Sequence, residues 1–151
     1  MTSPDPALAE AFAATTYRVW LDGRVHDLRL GRGHPGFDRM LAAHGVCEWA
    51  VITACNPGAR DVFADNAERS ARLLERLAEL GYRTVPACNL ADAGDWPAEP
   101  GVCVFGIDER EAHALARQFG QLACVCGRCG DKPRLVWSEG EEDGAMPEKT
   151  D

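Results

Sequence analysis

Between Tyr82 and Ile107 the chain carries two strand-like runs, Tyr82 to Ala87 and Val102-Cys-Val-Phe-Gly-Ile, joined by a Gly/Asp/Pro-rich loop from Leu90 to Gly101. No helical pattern separates them. A parallel pair of neighbouring strands needs a crossover, usually a helix, so a doubly wound parallel sheet is disfavoured. Helix patterns flank the two runs instead. Leu73, Leu74, Leu77 and Leu80 form one apolar stripe that Gly81 stops, and Ala112, Leu115, Ala116 and Phe119 form a second that Gly120 stops. Asp65 with Glu68, and Asp108 with Glu111, resemble capping boxes at the two helix starts. Trp49-Ala-Val-Ile-Thr-Ala before the first helix and Leu122 to Cys126 after the second are suited to buried strands. The order is thus β-α-β-β-α-β, predicting an α+β fold, an α/β sandwich with a ferredoxin-like split core.

Ahead of that core, Ala7 to Ala14 is predicted as a short helix, and Tyr17-Arg-Val-Trp-Leu and Val25 to Leu30 as a hairpin around Asp22-Gly23. Phe37, Met40 and Leu41 mark a further helix ending near His44-Gly45, and Arg134 to Trp137 an edge strand. Residues 1–137 are expected to form one globular domain, since 151 residues suit a single core. Residues 138–151 hold six acids against one base, carrying about 5 of the 8 net negative charges, and predict a solvated acidic disordered tail. The body has no basic stripe, which argues against nucleic acid and anionic membrane surfaces as partners. Met1-Thr-Ser-Pro-Asp-Pro lacks the positive charge and apolar run of a signal peptide, no run approaches a membrane span, and the cysteine count of seven is odd. A cytoplasmic protein with free or metal-bound thiols is expected.

Three stretches stand out in order: Ile52-Thr53-Ala54-Cys55-Asn56-Pro57, Gly94-Asp95-Trp96-Pro97-Ala98-Glu99-Pro100, and Phe119-Gly120-Gln121, with Asn66 at the first long helix. Their spacing resembles the bacterial domain-of-unknown-function family 3293, over about Tyr17 to Trp137. The resemblance implies a fold and a choice of residues but no reaction. Where the family usually has an aromatic residue, a second asparagine and a Trp-Gly pair, this chain has Cys55, Ser70 and Cys126-Gly127.

In the split topology the exits of the first two core strands and the entries of the last two share one end of the sheet. Cys55, Asn56, Asn66, Trp96, Glu99 and Gln121 are therefore expected to meet there. Amides that both donate and accept, an indole wall and one carboxylate suit a small polar ligand or a protein partner. A framework role stands beside this: Asn56-Pro57 as a turn, Trp96 as a plug over the core, Gln121 satisfying backbone groups.

At the opposite end His44-Gly-Val-Cys47 and Cys126-Gly-Arg-Cys129-Gly have zinc-knuckle-like spacing, so His44, Cys47, Cys126 and Cys129 form a candidate closed, structural zinc site. Buried thiols and a helix-end histidine are the competing account. Cys88, Cys103 and Cys124 are expected to be packed. The leading functional expectation is a non-enzymatic binding module. Alternatives are an enzyme using Cys55 or Glu99, though His26, His34 and His113 lie elsewhere, and an interaction subunit docking through the edge at Tyr17 to Leu21.

Overall fold

The computed structural model describes residues 5–56 and 65–138. The elements in chain order are α1 (Pro6–Ala13), β1 (Thr15–Leu21), β2 (Arg24–Leu28), α2 (Pro35–Ala43), β3 (Glu48–Ile52), α3 (Asn66–Glu79), β4 (Arg83–Ala91), β5 (Glu99–Phe105), α4 (Glu109–Gln118), β6 (Ala123–Arg128) and β7 (Arg134–Trp137). The α+β expectation is met, with seven strands in one sheet of order β2-β1-β4-β5-β3-β6-β7. Every neighbouring pair is antiparallel. Asp22 and Gly23 turn the β1–β2 hairpin with φ of 55° and 73°, the left-handed pair that a tight two-residue hairpin needs.

The sheet curls, so the hairpin is part of it rather than an appendage. Gly31, just past β2 at one edge, donates its N–H to Pro133 O beside β7 at the other, and Phe12 of α1 meets the Trp137 ring edge-on at 5.6 Å. Alternation then divides the apolar side chains between two faces. On one face Leu73 and Leu77 of α3 and Ala112, Leu115 and Ala116 of α4 pack on Ala50, Ile52, Val102, Val104, Cys124 and Cys126. On the other, α2 inserts Phe37 and Leu41 among Tyr17, Val19, Leu28, Trp49, Val51, Cys103 and Val125. Phe37 and Leu41 are fully buried, each contributing about 1.5–3 kcal/mol. Phe37 stands edge-on to Trp49 with ring centroids 5.6 Å apart.

Helix ends depart from expectation in one place. Asp108 Oδ1 accepts from Glu111 N at 2.8 Å, a true N-cap, whereas Asp65 makes no side-chain cap. Asp65 is drawn to Arg69 at 3.8 Å and Glu68 to Arg72 at 2.9 Å, so the i, i+4 ion pairs displace the capping box. Strands β4 and β5 are longer than predicted and shorten the joining loop to residues 92–98. Ser138 is buried, its Oγ donating to Gln121 O at 2.6 Å and its N–H to Leu122 O at 2.8 Å. The expected acidic tail beyond it lies outside the described residues, as does Pro57. Among the described residues no helix is long and apolar enough to cross a membrane.

Candidate functional site

The six residues expected to converge do so, through one hydrogen-bonded network at the end of the sheet where β3 exits, β4 turns into β5 and α3 begins. Gly101 permits the approach: a Cβ there would lie 2.5 Å from Ile52 O, so only glycine lets β5 sit this close to the end of β3. Thr53 Oγ1 then donates to Pro100 O at 2.8 Å and accepts from Cys55 N at 3.1 Å. This turns the chain sharply, and Asn56 takes the left-handed region with φ 49°, which asparagine tolerates better than most residues.

Asn56 is held there by Asn66, the first residue of α3. Asn56 N donates to Asn66 Oδ1 at 2.9 Å, and Asn66 Nδ2 donates back to Asn56 Oδ1 at 3.0 Å. Arg69 Nη2 also donates to Asn66 Oδ1, while Arg69 Nε donates to Ala54 O at 3.2 Å. Asn56 Nδ2 donates to Glu99 Oε2 at 2.8 Å, and Trp96 Nε1 donates to that same oxygen at 2.7 Å. Gln121 Nε2 donates to Cys55 O at 2.9 Å. Thr53, Cys55, Asn56 and Asn66 are buried, Glu99 and Gln121 half-buried, and Trp96 is 38% exposed.

This geometry divides the roles. The two buried amides face one another and the main chain, and Asn56 also fixes the position of Glu99. Trp96 stands at the surface with its N–H engaged by Glu99, which suits the expected indole wall better than a plug over the core. Cys55 is 2% exposed, with its thiol 3.5 Å from Pro100 O and 3.8 Å from Ser70 Oγ and no histidine bonded to it, an arrangement that conceals rather than activates it. Thr53 and Arg69 are members of the network that sequence reasoning missed. Arg69 gave no signal beyond being one of several helix-surface arginines.

The four candidate zinc ligands are not gathered into one set, although Cys129 N donates to Cys47 O at 2.9 Å. Cys126 points into the helix-side core, Cys129 packs on the other face of the sheet, and Cys47 is exposed. His44 is bonded instead to Asp22 Oδ2 at 2.8 Å and to Arg83 Nη2 at 3.1 Å. Strand alternation explains the failure: Cys126 lies within β6 and faces opposite to the residues that flank it, so Cys-x-x-Cys here is half strand and half turn. The set does not fit tetrahedral zinc, and among the described residues no group of three or more His, Cys, Asp or Glu is arranged to hold a metal. All seven cysteines are free. Burial holds the Cys103 thiol well above its usual range, and a hydrogen bond with Cys126, then burial, does the same for Cys124. His113 is half-buried, with Nε2 shut from solvent and without a hydrogen-bond partner among the described residues.

Beside the network, Arg69, Arg72 and Arg76 of α3 and Gln118, Phe119 and Gly120 line an open groove of about 510 Å³. Arg72 and Arg76 are engaged there with Glu68 and Glu79.

Among curated proteins, the chain is 28% identical over 147 residues to a Rhodopseudomonas palustris (strain TIE-1) protein named "Putative NADH dehydrogenase/NAD(P)H nitroreductase", covering 96% of this chain and 63% of that protein. The chain thus spans less than two thirds of that relative's length. No solved structure matches. Residues 52–124, which hold Cys55, Asn56, Asn66, Trp96, Glu99 and Gln121, match the family described as Protein of unknown function (DUF3293), the family that the order of these motifs resembles.

Proposed function

We propose that this chain is a binding module whose Trp96–Glu99 end recognises a small polar ligand or the side chain of a protein partner. The observation that carries the reading is Glu99: one carboxylate oxygen is fixed by both Asn56 and Trp96, a degree of preorganisation that a merely solvated surface acid does not need. The unit from β3 to β6 is read as a ferredoxin-like split β-α-β-β-α-β core, with strand order β4-β5-β3-β6 in its support. Seven free cysteines support a cytoplasmic setting.

A dinucleotide-linked redox role is the reading that the R. palustris name brings, and Gly31-Arg-Gly33-His-Pro-Gly36 between β2 and α2 has the spacing of a pyrophosphate turn. Two observations weigh against it. Among the described residues no strand neighbours β2 in parallel, and His34 Nδ1 already accepts from Phe37 N at 3.0 Å at the start of α2.

A thermal-shift screen of small polar compounds, with NADH and NADPH among them, tests the proposal on the whole chain. The expected result is a stabilising compound whose effect disappears in Trp96→Leu. Stabilisation by NADH that survives Trp96→Leu would overturn it.

A further inference from the structure

The geometry points to a ligand class for this end of the sheet: a primary ammonium or guanidinium group, seated against the Trp96 ring and the free oxygen of Glu99. The inference deepens the binding reading above and rests on it. Glu99 Oε2 takes both fixed donors, from Asn56 and Trp96, whereas among the described residues nothing donates to Oε1. The carboxylate is therefore locked in orientation with one acceptor unspent. Because the indole N–H donates in the ring plane, the Glu99 carboxylate lies at the edge of the exposed Trp96 ring, and a cation paired with it would have a ring face, the surface that cations favour, alongside.

A second orphan acceptor lies across the ladder. Asn89 is directly opposite Glu99 in the β4–β5 register, and its Oδ1 is shut from solvent with no donor. A buried acceptor without a donor is costly, and it would be relieved by an N–H-bearing ligand once the amide turns outward. Two arginines of neighbouring elements are engaged elsewhere: Arg18 pairs with Asp27 at 2.8 Å, and Arg69 bonds to Asn66 and Ala54 O.

The test uses four probes that share one ring: benzylammonium, benzyltrimethylammonium, benzyl alcohol and benzoate, titrated into the full chain while the Trp96 indole N–H resonance is followed. Benzylammonium is expected to shift that resonance saturably and to bind about tenfold tighter than benzyl alcohol, with benzyltrimethylammonium between them and benzoate absent. Glu99→Gln, which keeps an acceptor for Asn56 and Trp96, should erase the preference for the cation. Should that variant fold poorly, raising salt on the unaltered chain supplies the same comparison, weakening benzylammonium while sparing benzyl alcohol. Equal or tighter binding of benzyl alcohol or benzoate at Trp96 overturns the cation inference and leaves the binding site standing. A Trp96 resonance indifferent to all four probes overturns it too, and the thermal-shift screen then judges the site by itself.

Discussion

Asn56 and Asn66 hold one another through two hydrogen bonds, of 2.9 Å and 3.0 Å, that tie the exit of β3 to the first turn of α3. Ten residues separate them, and the pair lets Asn56 keep a left-handed backbone with φ 49°. Such a backbone costs a non-glycine residue on the order of 1 kcal/mol, which the buried bonds offset.

Asn66→Ala should therefore destabilise by about 2–3 kcal/mol, because it removes the bonds that both Asn56 N–H and Oδ1 make to Asn66. Asn56→Gly should cost about 1 kcal/mol less than Asn56→Ala, since glycine accepts the same backbone without strain. Urea denaturation of the three variants checks both statements. Equal losses for Asn56→Gly and Asn56→Ala would contradict the backbone part.

Gly127 lies against Trp49, and a Cβ at this glycine would come within 2.3 Å of the indole. Gly127→Ala should cost about 1–3 kcal/mol through the shift forced on Trp49, with a change in near-ultraviolet circular dichroism. A variant as stable as the parent would show that this indole has room to move.

Much of the fold was legible because strand and helix periods differ, and the six network residues were traceable because topology alone sends their loops to one end. What stayed hidden depended on side-chain direction. The network's internal pairing could not be read, since Asn56 and Asn66 suit a ligand as well as they suit each other. His44, Cys47, Cys126 and Cys129 have plausible ligand spacing, yet the pleat of β6 turns Cys126 into the helix-side core. The curl that joins the edges of the sheet through Gly31 and Pro133 has no local signature at all.

Thiol accessibility should follow that placement. Cys47 is exposed and should react first with a neutral maleimide, while Cys103, Cys124 and Cys126 should react only on unfolding. Burial, then Asp38 and Cys47, pushes the half-buried Cys129 thiol up and should slow it. Mass spectrometry of timed labelling reads the order. Protection of Cys47 that a chelator relieves would restore the metal site.

Acid should destabilise the face covered by α2. His26 is buried, its pKa lowered first by burial and then by His34 and Arg24, with Asp22 opposing. A depressed histidine contributes stability in full at neutral pH, and that contribution falls as pH drops below the unfolded value of about 6.5. His26→Phe keeps an aromatic ring against Phe37 without the titration and should flatten the decline between about pH 6.5 and 5. An unchanged slope in that variant, measured by urea midpoints, would assign the loss elsewhere.

The central claim is that the Trp96–Glu99 end receives a ligand, and the most direct measurement is the indole N–H spectrum of the four tryptophans during titration with any compound that raises the melting temperature. The prediction is a saturable shift of the Trp96 signal, while the signal of the buried Trp49 stays in place. A stabilising compound that leaves Trp96 unmoved and instead perturbs the arginine-lined groove between α3 and α4 would contradict it.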